Sequence, residues 1–70
     1  MTLEKFLHFL DLYYDNLNGQ LVINDNNLNL YASVNLSDIS RWLREHSTIA
    51  KKQVKSFGFY DNELCIRLDI

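Results

Sequence analysis

An α+β domain is the fold this chain predicts, with the order α-β-β-α-β-β, a four-stranded antiparallel sheet and two helices on one of its faces. Three observations predict it. Apolar residues recur every three or four positions at Leu3, Phe6, Leu7, Leu10, Tyr13, Tyr14 and Leu17, and again from Leu36 to His46. The final residues form two alternating apolar runs that meet at Asp61-Asn62 in a phase that puts both on one face. Neither an amphipathic helix nor a one-sided hairpin is covered by itself, so each supplies the other's missing cover.

The first helix runs from Leu3 toward Leu17, with Thr2 placed to cap its N-terminus and Glu4 suited to the positive end of its dipole. Asn18-Gly19 either ends this helix or forms a type I′ turn between residues 13–17 and 20–24. Leu21 to Asn24 and Leu28 to Tyr31 are short strands around the turn-forming Asp25-Asn26-Asn27, with Leu21 and Ile23 sharing a face with Leu28 and Leu30. A second helix, capped by Asn35 or Ser37, carries Leu36, Ile39, Trp42, Leu43 and His46 on one side. Ser47-Thr48 breaks its pattern, and Ile49 to Lys52 connects it to the last hairpin. There Phe59 is expected opposite Leu64, Phe57 opposite Ile66 and Lys55 opposite Leu68, with Gly58-Cys65, Ser56-Arg67 and Val54-Asp69 on the second face. The expected core is Phe6, Leu7, Leu10, Leu21, Ile23, Leu30, Ile39, Leu43, Phe57, Phe59, Leu64, Ile66 and Leu68. Val22, Tyr31, Val54, Tyr60, Cys65 and Arg67 are expected on the opposite, solvated face of the sheet.

Seventy residues read as a single domain, 1–70, near the lower limit for folding without disulfide or metal. The 47% apolar content and nine aromatics suffice for a core. A single cysteine, Cys65, cannot form an internal disulfide, and with only His8 and His46 beside it a structural zinc site is not expected. The opening Met1-Thr2-Leu3-Glu4-Lys5 has no basic leader, and no apolar run approaches the roughly 20 residues of a membrane span. These features point to a cytoplasmic protein with no membrane association.

No constellation of residues calls for catalysis or a cofactor. Glu4, His8, Asp11 and Asp15 fall on one helix face with spacings that reach a metal ion. The wet side of an amphipathic helix accounts for the same four residues, and no second element closes a coordination sphere. Cys65 sits within a strand without a neighbouring cation, no serine lies in a G-x-S-x-G elbow, and two glycines cannot make a phosphate-binding loop. The expectation is therefore a non-enzymatic protein that acts by binding a macromolecule.

Charge and exposed apolar residues indicate the candidate partners. Residues 1–40 hold one cation, Lys5, against Glu4, Asp11, Asp15, Asp25 and Asp38, a net of -4. Residues 41–70 hold Arg41, Arg44, Lys51, Lys52, Lys55 and Arg67 against Glu45, Asp61, Glu63 and Asp69, a net of +2. A protein partner, or a second copy in a homodimer, is the leading expectation. Phe9 and Leu12, outside the first helix's apolar stripe, are its candidate anchors together with Trp42. The alternative is a single-stranded nucleic-acid-binding module using Arg41, Arg44, Lys51, Lys52 and Lys55 with Tyr60 as a stacking platform. The overall charge of -2 opposes it. A third reading makes Glu4, Asp11, Asp15 and Asp25 an acidic decoy for a nucleic-acid-binding protein.

The run from Val54 to Leu64, VKSFGFYDNEL, with the alternating end Cys65 to Ile70, resembles the tail of small uncharacterised proteins of Gram-positive phages and mobile elements. The opening Met1 to Leu7 and the segment Ile23-Asn24-Asp25-Asn26 are similar to the same group, whereas the middle with Trp42, Arg41 and Arg44 departs from it. This resemblance implies a phage-related, cytoplasmic setting in which small proteins bind and inhibit host machinery, anti-CRISPR proteins among them.

Overall fold

The computed structural model describes residues 1–13 and 19–70, with side chains described outside 11–18. Helix α1 spans Leu3–Tyr13, strand β1 Gln20–Asn24 and strand β2 Leu30–Asn35. A 3-10 turn at Leu36–Asp38 leads into α2, Ile39–Glu45, and α3, Ser47–Ala50, before strands β3, Val54–Tyr60, and β4, Glu63–Leu68. The chain is thus α+β in the expected order, with α3 added where Ser47-Thr48 was expected only to break the pattern. Ala50 of α3 is buried. Thr2 does cap α1, its Oγ1 accepting from the Lys5 N–H at 3.4 Å. The expectation for residues 14–17, helix or strand, lies outside the described residues.

The sheet order is β2-β1-β4-β3, so the two hairpins lie side by side and meet through their inner strands. Within each hairpin the pairing is antiparallel, but β1 and β4 run parallel, with Leu21 beside Leu64 and Ile23 beside Ile66. The sheet is therefore mixed rather than wholly antiparallel. Leu21, Ile23, Leu64, Ile66 and Leu68 are all fully buried, as the two central strands require. Gly19 opens the seam between them. Its φ is +110°, and a Cβ there would stand only 2.0 Å from the Asn62 carbonyl oxygen, which accepts the Gln20 N–H at 3.2 Å.

Leu3, Phe6, Leu7 and Leu10 of α1 pack with Leu36, Ile39 and Trp42 over the central strands as one cluster. Leu43 is only partly buried at its margin. Three core expectations are corrected. Leu30 is 67% exposed because a register shift between Ile23 and Asn24 sets it opposite Asn24, past the core-facing pairs Leu21–Val34 and Ile23–Ala32. Phe57 and Phe59 do sit opposite Ile66 and Leu64 on the helix-facing side, yet they are 58% and 54% exposed, because β3 is an outer strand beyond the helices' cover. The turn Asp61-Asn62 has φ of 47° and 65°, the left-handed pair of a type I′ hairpin. At the open end a bulge between Val54 and Ser56 places Val54, not Lys55, opposite Leu68, and Val54 joins the core margin instead of the solvated face.

Candidate protein-interaction surface

Strand β3 combines three properties that no other strand of the sheet has together. It is an edge, it runs seven residues, and it carries two large aromatic side chains on a face that the helices leave half uncovered. Phe57 is held in place by Phe6, the ring centroids 4.7 Å apart at 54°. Phe9 stands one turn further along α1 and is about half exposed.

The edge is occupied only at its beginning. Thr2 bridges to Gln53, with the Leu3 N–H donating to the Lys52 carbonyl at 2.9 Å and the Val54 N–H to the Met1 carbonyl at 2.8 Å. Beyond that point the ladder to β4 decides which backbone groups remain. Tyr60 and Glu63 close a two-residue turn and form a hydrogen-bonded pair, so Tyr60, Gly58 and Ser56 direct their N–H and C=O groups to β4. Phe57 and Phe59 direct theirs to the open side. Native edges of this kind are usually blunted by bulges and lysines. Here the bulge and Lys55 sit at the start of the strand, and the stretch from Ser56 to Tyr60 is regular.

On the opposite face of the sheet Tyr60 folds back over Gly58, where a Cβ would lie 2.8 Å from its ring. Val22, Cys65 and Arg67 are half-buried there. The Arg67 Nε is buried and has no hydrogen-bond partner among the described residues.

The other candidate residues are dispersed. Trp42 is 9% exposed in the core and stacks on His46 at 4.3 Å and 14°, which corrects its reading as an interface anchor. His46 Nδ1 lies 2.9 Å from the Trp42 carbonyl oxygen. Leu12, Asp11 and Asp15 have side chains outside the described ones, whereas Glu4 and His8 are exposed. Arg41 forms an exposed ion pair with Asp38 at 3.7 Å, and Arg44, Lys51, Lys52 and Lys55 are exposed without an ion pair among the described residues. Tyr60 lies at the far end of β3 from Lys55, about 17 Å along an extended strand, so the cations and the stacking platform are not interleaved. A hollow of about 250 Å³ lies between β2 and α2, lined by Ser33, Asn35, Asp38, Arg41, Trp42 and Glu45. No helix among the described residues is long and apolar enough to cross a membrane.

No family model matches the chain, no curated protein is significantly similar to it, and no solved structure is significantly similar to its fold. Sequence reasoning identified Phe57 and Phe59 as a pair on one face but assigned them to the core. Strand order makes them surface, and the alternation within a hairpin is the same whether the outer strand has a further neighbour or none.

Proposed function

We propose that the chain is a non-enzymatic interaction module that binds a protein partner by strand addition to the open edge of β3, with Phe57 and Phe59 as anchors. The observation that carries this reading is the coincidence of outward backbone groups and more than half-exposed phenylalanines on the same two residues. Strand addition uses both at once: backbone hydrogen bonds give affinity, and alternate side chains give specificity. In the phage-related, cytoplasmic setting that the sequence resemblance implies, the partner is a component of the host cell whose work the binding hinders.

The test is site-specific photocrosslinking in host lysate, with p-benzoylphenylalanine in place of Phe59 and, as control, in place of the exposed Ser40 of α2. Crosslinks specific to position 59, lost when Phe57→Ala is added, are the expected result. Equal crosslinking from both positions would refute the proposal.

A further inference from the structure

We infer that, when no host strand occupies it, the open edge of β3 takes β3 of a second copy, in an antiparallel pairing whose two-fold axis passes through Gly58; this deepens the strand-addition reading and rests on it. The free edge selects that centre. It is closed at one end by the Met1–Leu3 segment paired to Lys52 and Val54, and at the other by the turn at Asp61-Asn62. What remains runs from Lys55 to Tyr60, and the two residues in it with outward backbone groups, Phe57 and Phe59, flank Gly58.

Pairing about Gly58 is consistent with the backbone. It sets Phe57 of each chain opposite Phe59 of the other, and these are the residues whose N–H and C=O groups point outward, so two hydrogen-bonded pairs form. Two phenylalanine pairs also come together on the helix-facing side, where such cross-strand neighbours attract. Gly58 meets Gly58 at the axis as a close, non-hydrogen-bonded pair, and the Tyr60 ring already lies over that position. Charge agrees as well. Lys55 of each chain reaches the turn at Asp61 of the other, an opposite-sign contact made twice, and neither residue has an ion pair among the described residues.

Neighbouring registers lose these features. Centring on Phe57 drives the incoming turn into the Met1–Leu3 segment and sets Phe59 against Lys55. Centring on Phe59 sets Phe57 against Asp61. The area limits the strength: with a phenylalanine burying about 200 Å² in full, each exposed ring adds about 110 Å² to an interface, far below the roughly 800 Å² per partner of a stable complex. The dimer is therefore weak and concentration-dependent, in the micromolar range or above.

Sedimentation equilibrium of the unmodified chain, carried into the millimolar range, should show a monomer–dimer equilibrium that Lys55→Glu weakens about tenfold through two like-charge contacts. Disulfide trapping reads the register. In a Cys65→Ala background, Gly58→Cys should crosslink rapidly on mild oxidation, because the added side chain displaces only the exposed tip of Tyr60. Ser56→Cys should not, since its two copies would lie about 13 Å apart along the strands, beyond disulfide reach. Circular dichroism verifies that each variant is folded, and the unmodified chain's dimerisation stands as an independent readout if Gly58→Cys is not.

A dimer that crosslinks no faster through position 58 than through 56 overturns the inference. A strict monomer overturns it too, and the photocrosslinking separates the two failures. Partner crosslinks from position 59 would leave strand addition standing with a different occupant, and their absence would remove both.

Discussion

Ile66→Ala and Phe57→Ala truncate two side chains that face each other across the β3–β4 ladder, yet the structure makes their consequences unequal. Ile66 is completely buried in a central strand. Removing three carbons there costs about 2.4 kcal/mol in transfer free energy, and the cavity left in a cluster closed by α1 and the 3-10 turn raises this to about 3–4 kcal/mol. Phe57 keeps less than half its surface from water. Scaling the roughly 3–5 kcal/mol of a fully buried phenylalanine by that fraction, and allowing the open edge to admit water rather than hold a void, gives about 1–1.5 kcal/mol. Urea denaturation followed by circular dichroism measures both. With total stability of about 4–10 kcal/mol for a chain this size, Ile66→Ala stands near the limit of folding. Ile66→Val, at about 1 kcal/mol, supplies a measurable companion. Equal losses at the two positions, or a larger loss at Phe57, would refute the edge placement of β3.

Three further outcomes follow from local geometry and charge. Gly19→Ala should destabilise by at least about 2 kcal/mol in the same urea assay, since its positive φ and the nearby Asn62 carbonyl both exclude a Cβ. Leu28→Gly should instead stabilise by about 0.5–1 kcal/mol, because Leu28 holds a φ of 64° while burying little of its side chain. Fluorescence anisotropy with a single-stranded oligonucleotide at low salt should show no saturable binding at tens-of-micromolar protein. Salt-sensitive binding abolished by Lys51→Glu with Lys52→Glu would transfer the functional reading to nucleic acid.

The local elements were legible because their causes are local. The stripe through Leu3, Phe6, Leu7 and Leu10, the helix around Ile39 and Trp42, and the left-handed Asp61-Asn62 turn each depend on neighbours within a few residues. Strand order was not legible, since the parallel seam joins residues as distant in sequence as Leu21 and Leu64 and has no turn residue to announce it. The misplacing of Phe57 and Phe59 follows from that one gap: an alternating strand shows which side chains share a face, while cover depends on what lies beyond its edge; Leu30 was misplaced by the pairing within its own hairpin. The bulge escaped for a related reason. It lies beside the pairing of Met1–Leu3 with Lys52 and Val54, a contact between residues about fifty positions apart. Of the candidate site, Trp42 is deeper than an interface anchor would be, because a helix stripe does not rank its own members by depth.

The seam between β1 and β4 also shapes how the chain reaches its native state. Each hairpin closes over a short loop and forms on the microsecond scale, but bringing Leu21 beside Leu64 closes well over half of the chain at the larger loop-closure cost. The expected rate-limiting step is therefore the joining of the two hairpins, with α1 and the segment from Leu36 to Ala50 condensing over the join. Substitutions at Leu21 and Leu64 should slow refolding in proportion to their effect on stability, while those at the Asp61-Asn62 turn act on a step already complete. A chain that joins its halves last exposes both inner strands until then, so refolding yield should fall as protein concentration rises, well before the native protein shows any tendency to aggregate.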